Sequence, residues 1–132
     1  MSARRILQSV LAIVGGYLGN AILVAATEQL LLKLAPRPAF FFLDLLSQCV
    51  CGVAGACLCC LISEERERLL AAIVFNGLGL VLGAISIVTS WNQEPHWYGI
   101  GLLCVWTPCT WTGYIFARHL IGRARLASPT IR

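Results

Sequence analysis

The stretch from Leu69 to Trp91, LLAAIVFNGLGLVLGAISIVTSW, decides the fold. It runs 23 residues without a charge, and a helix needs about 20 predominantly apolar residues to cross a hydrocarbon core about 30 Å thick. Its small and polar residues, Ala72, Asn76, Gly79, Gly83, Ser86 and Ser90, recur at spacings of 4, 3, 4, 3 and 4. That period, about 3.5, keeps one stripe facing a neighbour when helices cross at about 20° with a left-handed twist.

Outward from this run, three more of the same kind appear: Ile6 to Leu32, Ala39 to Ile62 and Trp97 to Ala117, of 27, 24 and 21 residues. The connections left between the four are 6, 6 and 5 residues long, which forces consecutive helices to be antiparallel neighbours. Pro36 and Pro38 close the first turn, Ser63 to Arg68 make a wet second one, and Asn92 to Pro95 the third. The expected fold is therefore all-α and integral to the membrane: one domain over residues 1–132, an antiparallel up-down four-helix transmembrane bundle, left-handed, with short basic tails. Composition agrees. Of 132 residues, 58% are hydrophobic and 12% charged, the mean hydropathy is +0.79, and a soluble domain carries about 25% charged residues. Soluble enzymes, nucleic-acid-binding domains, disordered tails and disulfide-stapled secreted domains are excluded.

Orientation follows the bias of Lys and Arg in short loops. Arg4, Arg5, Arg66, Arg68, Arg118, Arg123, Arg125 and Arg132 fall on one side, Lys33 and Arg37 on the other. Eight against two predicts an inner (plasma) membrane protein with both termini in the cytoplasm, and Phe40 to Phe42, Trp91, Trp97 and Tyr98 form the opposite aromatic belt. A cleaved signal peptide is the competing reading of the first run, but its length and its Gly15, Gly16, Gly19 and Asn20 do not suit an h-region of about 7 to 15 residues.

In lipid, helix association depends on close packing and interhelical polar contacts. The first span shows a stripe of Gln8, Ala12, Gly15, Gly19, Ile22, Ala26 and Gln29, the second Asp44, Gln48, Cys51, Gly55 and Cys59, the fourth Gly101, Cys104, Pro108 and Thr112. Gly15, Gly19, Gly55, Asn76, Gly79 and Gly83 are the expected packing residues. A second face of the first span carries Gly16, Asn20 and Thr27. Since four helices make a bundle without a central member, that face is expected to meet another chain, with Asn20 bonding Gln48 or Asn76 inside the monomer as the alternative.

Glu28 and Asp44 are the acids within the spans, about 6 and 8 Å below the span ends. With Glu94 and His96 in the loop above, they are a candidate ion or proton site; the plainer reading pairs them with Lys33 and Arg37 at the interface. Seven cysteines sit mostly on one helix, where four ligands cannot converge, so they read as packing residues and no metal or cofactor is expected. His96 and His119 lie 23 residues apart, about 35 Å along a helix, too far to clamp one haem. Trp106, Pro108 and Trp111 mark the fourth span: the proline frees the carbonyl of Cys104, neighbouring threonines can satisfy it, and the mid-membrane indole of Trp106 needs a partner or lines a pocket. No nucleophile–base pair and no phosphate loop is present, so an enzyme working alone is not expected.

The order of features resembles that of small bacterial four-span membrane proteins of uncharacterised function: Gly16-Tyr17, a small-residue second span ending in charges, Gly79 to Ser86, an aromatic outer loop, and a proline with Gly113 before Arg118. The likeness runs from Gly15 to Gly122 and implies no activity or site. Small multidrug transporters are similar in length and in having an acid in span 1, but theirs lies near the bilayer middle, and their weak charge bias differs from this one. The expected function is an accessory or structural subunit of a larger membrane assembly, with lipids and other membrane subunits or further copies as partners and no nucleic acid. The alternatives are a small proton- or cation-coupled transporter and a lipid- or quinone-pocket protein.

Overall fold

The computed structural model describes residues 3–127, without the side chains of residues 3–5, 37, 38 and 127. All the regular structure described is helical: α1 (Ala3–Leu34), α2 (Arg37–Ile62), α3 (Arg68–Ser90) and α4 (His96–Ala127). Each is long and apolar enough to cross a membrane. Pro36 stands extended before α2 and Pro38 lies in its first turn, where a missing N–H costs nothing. At the other end of α2, both the backbone N–H and the hydroxyl of Ser63 bond the carbonyl of Cys59 (3.1 and 2.7 Å).

Two boundaries differ from expectation. α1 starts three residues before Ile6, and α4 continues ten residues past Ala117, because Arg118, Arg123 and Arg125 favour helix and nothing between them stops it. The basic stretch after the fourth span is thus helical to Ala127, and Arg125 bridges Glu65 through both guanidinium nitrogens (3.1 and 2.5 Å). Of the other residues that set the charge bias, Arg132 and the side chains of Arg4, Arg5 and Arg37 lie outside the described ones.

α2 packs along both α1 and α4 and also meets α3, and α3 likewise meets the other three, so no single helix is central; the backbones of α1 and α4 do not come together among the described residues. Small residues make this possible. At Gly113 of α4 an added Cβ would lie 2.5 Å from the carbonyl oxygen of Val53 and 2.8 Å from the Cβ of Ala56, so the backbones of α2 and α4 run in contact. Between α1 and α2, Gly16 lies under Cys59, and Gly55 under Asn20. Phe75 of α3 is fully buried at this crossing, tilted against Tyr17 and stacked near Trp106 (ring centroids 4.5 and 5.8 Å). The outward faces carry Val10, Leu18, Ile22, Val50, Val81 and Val88, all exposed, as lipid-facing residues should be.

One end of the molecule gathers the α1–α2 and α3–α4 connections, where Phe41 meets Tyr98 (5.2 Å). The other gathers the start of α1 and the α2–α3 connection, where Ser9 bonds Glu67 and Gln8 bonds the carbonyl of Ile62 (3.3 Å).

Candidate functional site

Two polar regions stand out. The first lies at the end that gathers the α1–α2 and α3–α4 connections. Asp44 is 1% exposed; its carboxylate accepts from the Tyr98 hydroxyl, and Ser47 donates to its backbone carbonyl (2.8 Å). Glu28 accepts from Gln48 Nε2 (3.3 Å). Glu28 feels the charges of Asp44 and Glu94, and Glu94 is exposed on the α3–α4 connection. His96 packs its ring on Trp91 (4.3 Å) and lines a small depression together with Glu94. Among the described residues the partners are neutral, Tyr98 for Asp44 and Gln48 for Glu28, and no ion pair joins Lys33 to either acid. Arg37's side chain lies outside the described residues. Among the described residues no three His, Cys, Asp or Glu side chains converge to hold a metal.

The second region is a cleft of about 240 Å³ where α1 and α3 diverge, with Gln48 and Cys49 of α2 and Leu103 and Trp106 of α4 behind. Its α3 wall is the glycine stripe: a Cβ at Gly79 would overlap the indole of Trp106, and one at Gly83 would lie 3.3 Å from Leu103. Gly79 is thus the seat of Trp106, whose Nε1 donates to the carbonyl of Asn76 (3.2 Å) while Thr110 donates to the Asn76 side chain (2.9 Å). Tyr17 lines the α1 side, its hydroxyl bonded to the carbonyl of Phe75 (2.7 Å). Beside it stands Asn20, and Asn20 Oδ1 is the one buried side-chain polar atom without a partner among the described residues.

The remaining expected residues take these places. Gly15 and Gly19 of α1 meet the side chains of Ile62 and Leu58, while Ile22, Ala26 and Gln29, further along their stripe, are exposed. The face of Gly16, Asn20 and Thr27, expected to meet another chain, packs on α2 instead: Asn20 lies on Gly55 and Thr27 is 4.0 Å from Cys51. The physical reason is that Gly16 and Gly55, facing each other, let the α1 and α2 backbones approach. Pro108 lies inside an unbroken α4; Thr112 donates to the Pro108 carbonyl and Thr110 to that of Thr107 (2.8 and 2.9 Å), so the threonines serve carbonyls other than that of Cys104. Trp111 is half exposed and tilted against Tyr114 (5.3 Å). All seven cysteines are free.

Sequence reading missed Tyr98 as the partner of Asp44, because an aromatic at a span end reads as interfacial belt. It missed Gly113 as the tightest contact, because no second glycine four residues away marks it. No family model, curated protein or solved structure matches this chain, so its function has to be drawn from the geometry.

Proposed function

We propose that this chain is a plasma-membrane protein, an antiparallel, up-down, left-handed four-helix bundle with both termini in the cytoplasm, that takes a small hydrophobic ligand from the bilayer into the cleft between α1 and α3. The cleft carries the proposal. Its wall is mostly apolar, with Tyr17, Asn20, Gln48 and Ser86 as the polar residues on it, the combination of apolar wall and few polar groups found in ligand sites. Its volume exceeds the roughly 150 Å³ that suffices for benzene in an engineered protein cavity and is below the roughly 300 Å³ of drug-sized pockets, so it suits one chain segment or one ring. Charge bias supports the orientation, and the gathering of alternate connections at opposite ends supports the antiparallel order.

A second reading, an accessory subunit seated against another membrane chain, is favoured by the shallow apolar groove along α2 that α1 and α4 leave uncovered, floored by Val50, Val53 and Ala54 and edged by Phe116. Purification from the membrane in mild detergent, with mass determination and identification of bound lipids, pigments and chains, separates the two. A retained small molecule that is lost when Gly83→Leu fills the cleft supports ligand binding. A stoichiometric second polypeptide with no bound small molecule overturns it in favour of the subunit.

A further inference from the structure

Independently of the cleft, we infer that one anionic phospholipid seats on α4, its phosphate on Arg118 and His119 and one acyl chain running past Ile115 and Trp111 into the furrow between α3 and α4. Depth comes first. Trp97 to Ala117 is 21 residues, about 31 Å of helix, which matches a hydrocarbon core of about 30 Å. With Trp97 at one interface, Arg118 and His119 therefore stand at headgroup level at the other. Together with Ile115 they line a depression of about 320 Å³. Trp111, one turn deeper than Ile115, borders a second hollow, of about 190 Å³, walled also by Ala72, Ile73 and Thr107. Thr107, Trp111, Ile115 and Arg118 recur at spacings of 4, 4 and 3, so they share one face of α4. From Thr107 to Arg118 that face rises about 16 Å, the depth of one leaflet of such a core.

Bonding at that end selects the occupant. Arg125 is engaged by Glu65, and Arg68 donates to the Cys60 carbonyl (3.2 Å), whereas the side chains of Arg118 and His119 make no hydrogen bond or ion pair among the described residues. Arg118 lies over the Tyr114 ring (5.8 Å), and Tyr114 is tilted against Trp111 (5.3 Å). This aromatic ledge steadies the guanidinium and leaves its N–H groups for a phosphate, which it can grip through two parallel bonds; the His119 ring supplies another N–H. No carboxylate lines the depression to answer the ammonium of a zwitterionic head, so the site favours a lipid of net negative charge. Deeper down, Thr110 already donates to Asn76 Oδ1 (2.9 Å), and Ala72, Ile73 and Trp111 give the second hollow apolar walls for an acyl chain.

The test uses the full chain in phosphatidylcholine nanodiscs holding a minor fraction of lipid brominated midway along its chains, either phosphatidylglycerol or phosphatidylcholine. Both leaflets have the same composition, so the result does not depend on the orientation of the chain. Trp91→Phe and Trp97→Phe silence the opposite interface, and the emission that a further Trp111→Phe removes belongs to Trp111. Bromine on a chain in the furrow quenches it. Brominated phosphatidylglycerol is expected to reach half-quenching at about fivefold lower mole fraction than brominated phosphatidylcholine, the worth of one cation beside an anionic head. Arg118→Gln is expected to bring the two lipids within about twofold of each other. Arg123→Gln, which removes one charge from the same helix outside the depression, is expected to leave the preference in place. Equal quenching by the two lipids in the parent protein overturns the inference, and so does an equal loss of preference in Arg118→Gln and Arg123→Gln, which would show diffuse attraction to a basic end. Inorganic phosphate, exchanged for chloride at equal ionic strength, is expected to leave the preference intact; its abolition would assign the pair to a free anion and overturn the lipid.

Discussion

Replacing Gly113 by alanine tests the packing of α2 against α4 most directly. The new Cβ would lie 2.5 Å from the Val53 carbonyl oxygen, 2.8 Å from the Ala56 Cβ and 3.1 Å from the Cys57 nitrogen. These are backbone atoms or a methyl fixed to backbone, so no side chain can swing aside. Carbon–oxygen contacts between packed helices sit at about 3.3 to 3.6 Å, and α4 must therefore retreat from α2 by roughly 0.8 to 1 Å locally. A gap of about that size forfeits a quarter to a half of each van der Waals well. For roughly 50 atom pairs at about 0.15 kcal/mol each, the loss is about 2 to 4 kcal/mol, at the upper part of the usual range for overpacking. Equilibrium unfolding in mixed micelles, titrated with a denaturing detergent, reads this as a shifted midpoint. Gly77→Ala is the control, because a Cβ there meets nothing within 4 Å and alanine gains up to about 1 kcal/mol of helix propensity. If Gly113→Ala unfolds within about 0.5 kcal/mol of wild type, α2 and α4 are not in backbone contact.

Tyr98→Phe removes the hydroxyl that Asp44 accepts from within the protein and is expected to lower unfolding stability by about 1 to 3 kcal/mol; an unchanged midpoint in the same titration would show Asp44 to be satisfied otherwise. Arg125 holds the Glu65 carboxyl below the usual carboxylate range, by its hydrogen bonds and then its charge. Any stability this gives is fully present above the unfolded-state pKa of about 4.3 and is lost as pH falls through the lower folded value, so a Glu65→Gln variant should match wild type in melting temperature at acid pH and, both side chains being 60% exposed, in high salt as well. A difference that persists in acid refutes the bridge. Asn20→Leu is expected to raise unfolding stability by about 1 to 3 kcal/mol in ligand-free micelles, since it deletes an unpaired buried acceptor and keeps the side chain's approximate shape. A loss of that size would mean that the Asn20 oxygen is bonded in the folded protein.

The four helices were legible because each rests on a property that needs no partner: an apolar run of sufficient length, bounded by charges or prolines. Which face of each helix turns inward was less so. On α1, the regular stripe through Gly15 and Gly19 and the shorter set Gly16, Asn20 and Thr27 are both small and polar, and the sequence offers no way to rank them. What ranks them is the shape of α2, where Gly55 stands opposite Gly16 and lets the backbones meet. The two acids were found because a charge in an apolar run is conspicuous; their partners were not, since Tyr98 and Gln48 are ordinary residues made special by α2 crossing α4 on one side and α1 on the other. Pairing of α2 with α4 was equally hidden, because loop length constrains only consecutive helices.

The two polar regions differ in how their groups are bonded. At the end with the carboxylates, Tyr98 donates to Asp44, Gln48 to Glu28 and Ser47 to the Asp44 carbonyl, bonds that tie α1, α2 and α4 together. Asn76, deep in α3, is answered too, by Thr110. Native proteins leave few buried polar atoms unpaired, and each exception calls for a reason. Here the exception is Asn20, on the wall of the cleft, in a medium where solvent cannot make good the missing bond. An asparagine serving only to hold helices together would have been bonded across the α1–α2 crossing, as Asn76 is across α3 and α4. Asn20 instead lies on Gly55 with its oxygen buried and unbonded, so the missing bond is supplied neither across the α1–α2 crossing nor from the cleft, and the stability change in Asn20→Leu measures what that costs.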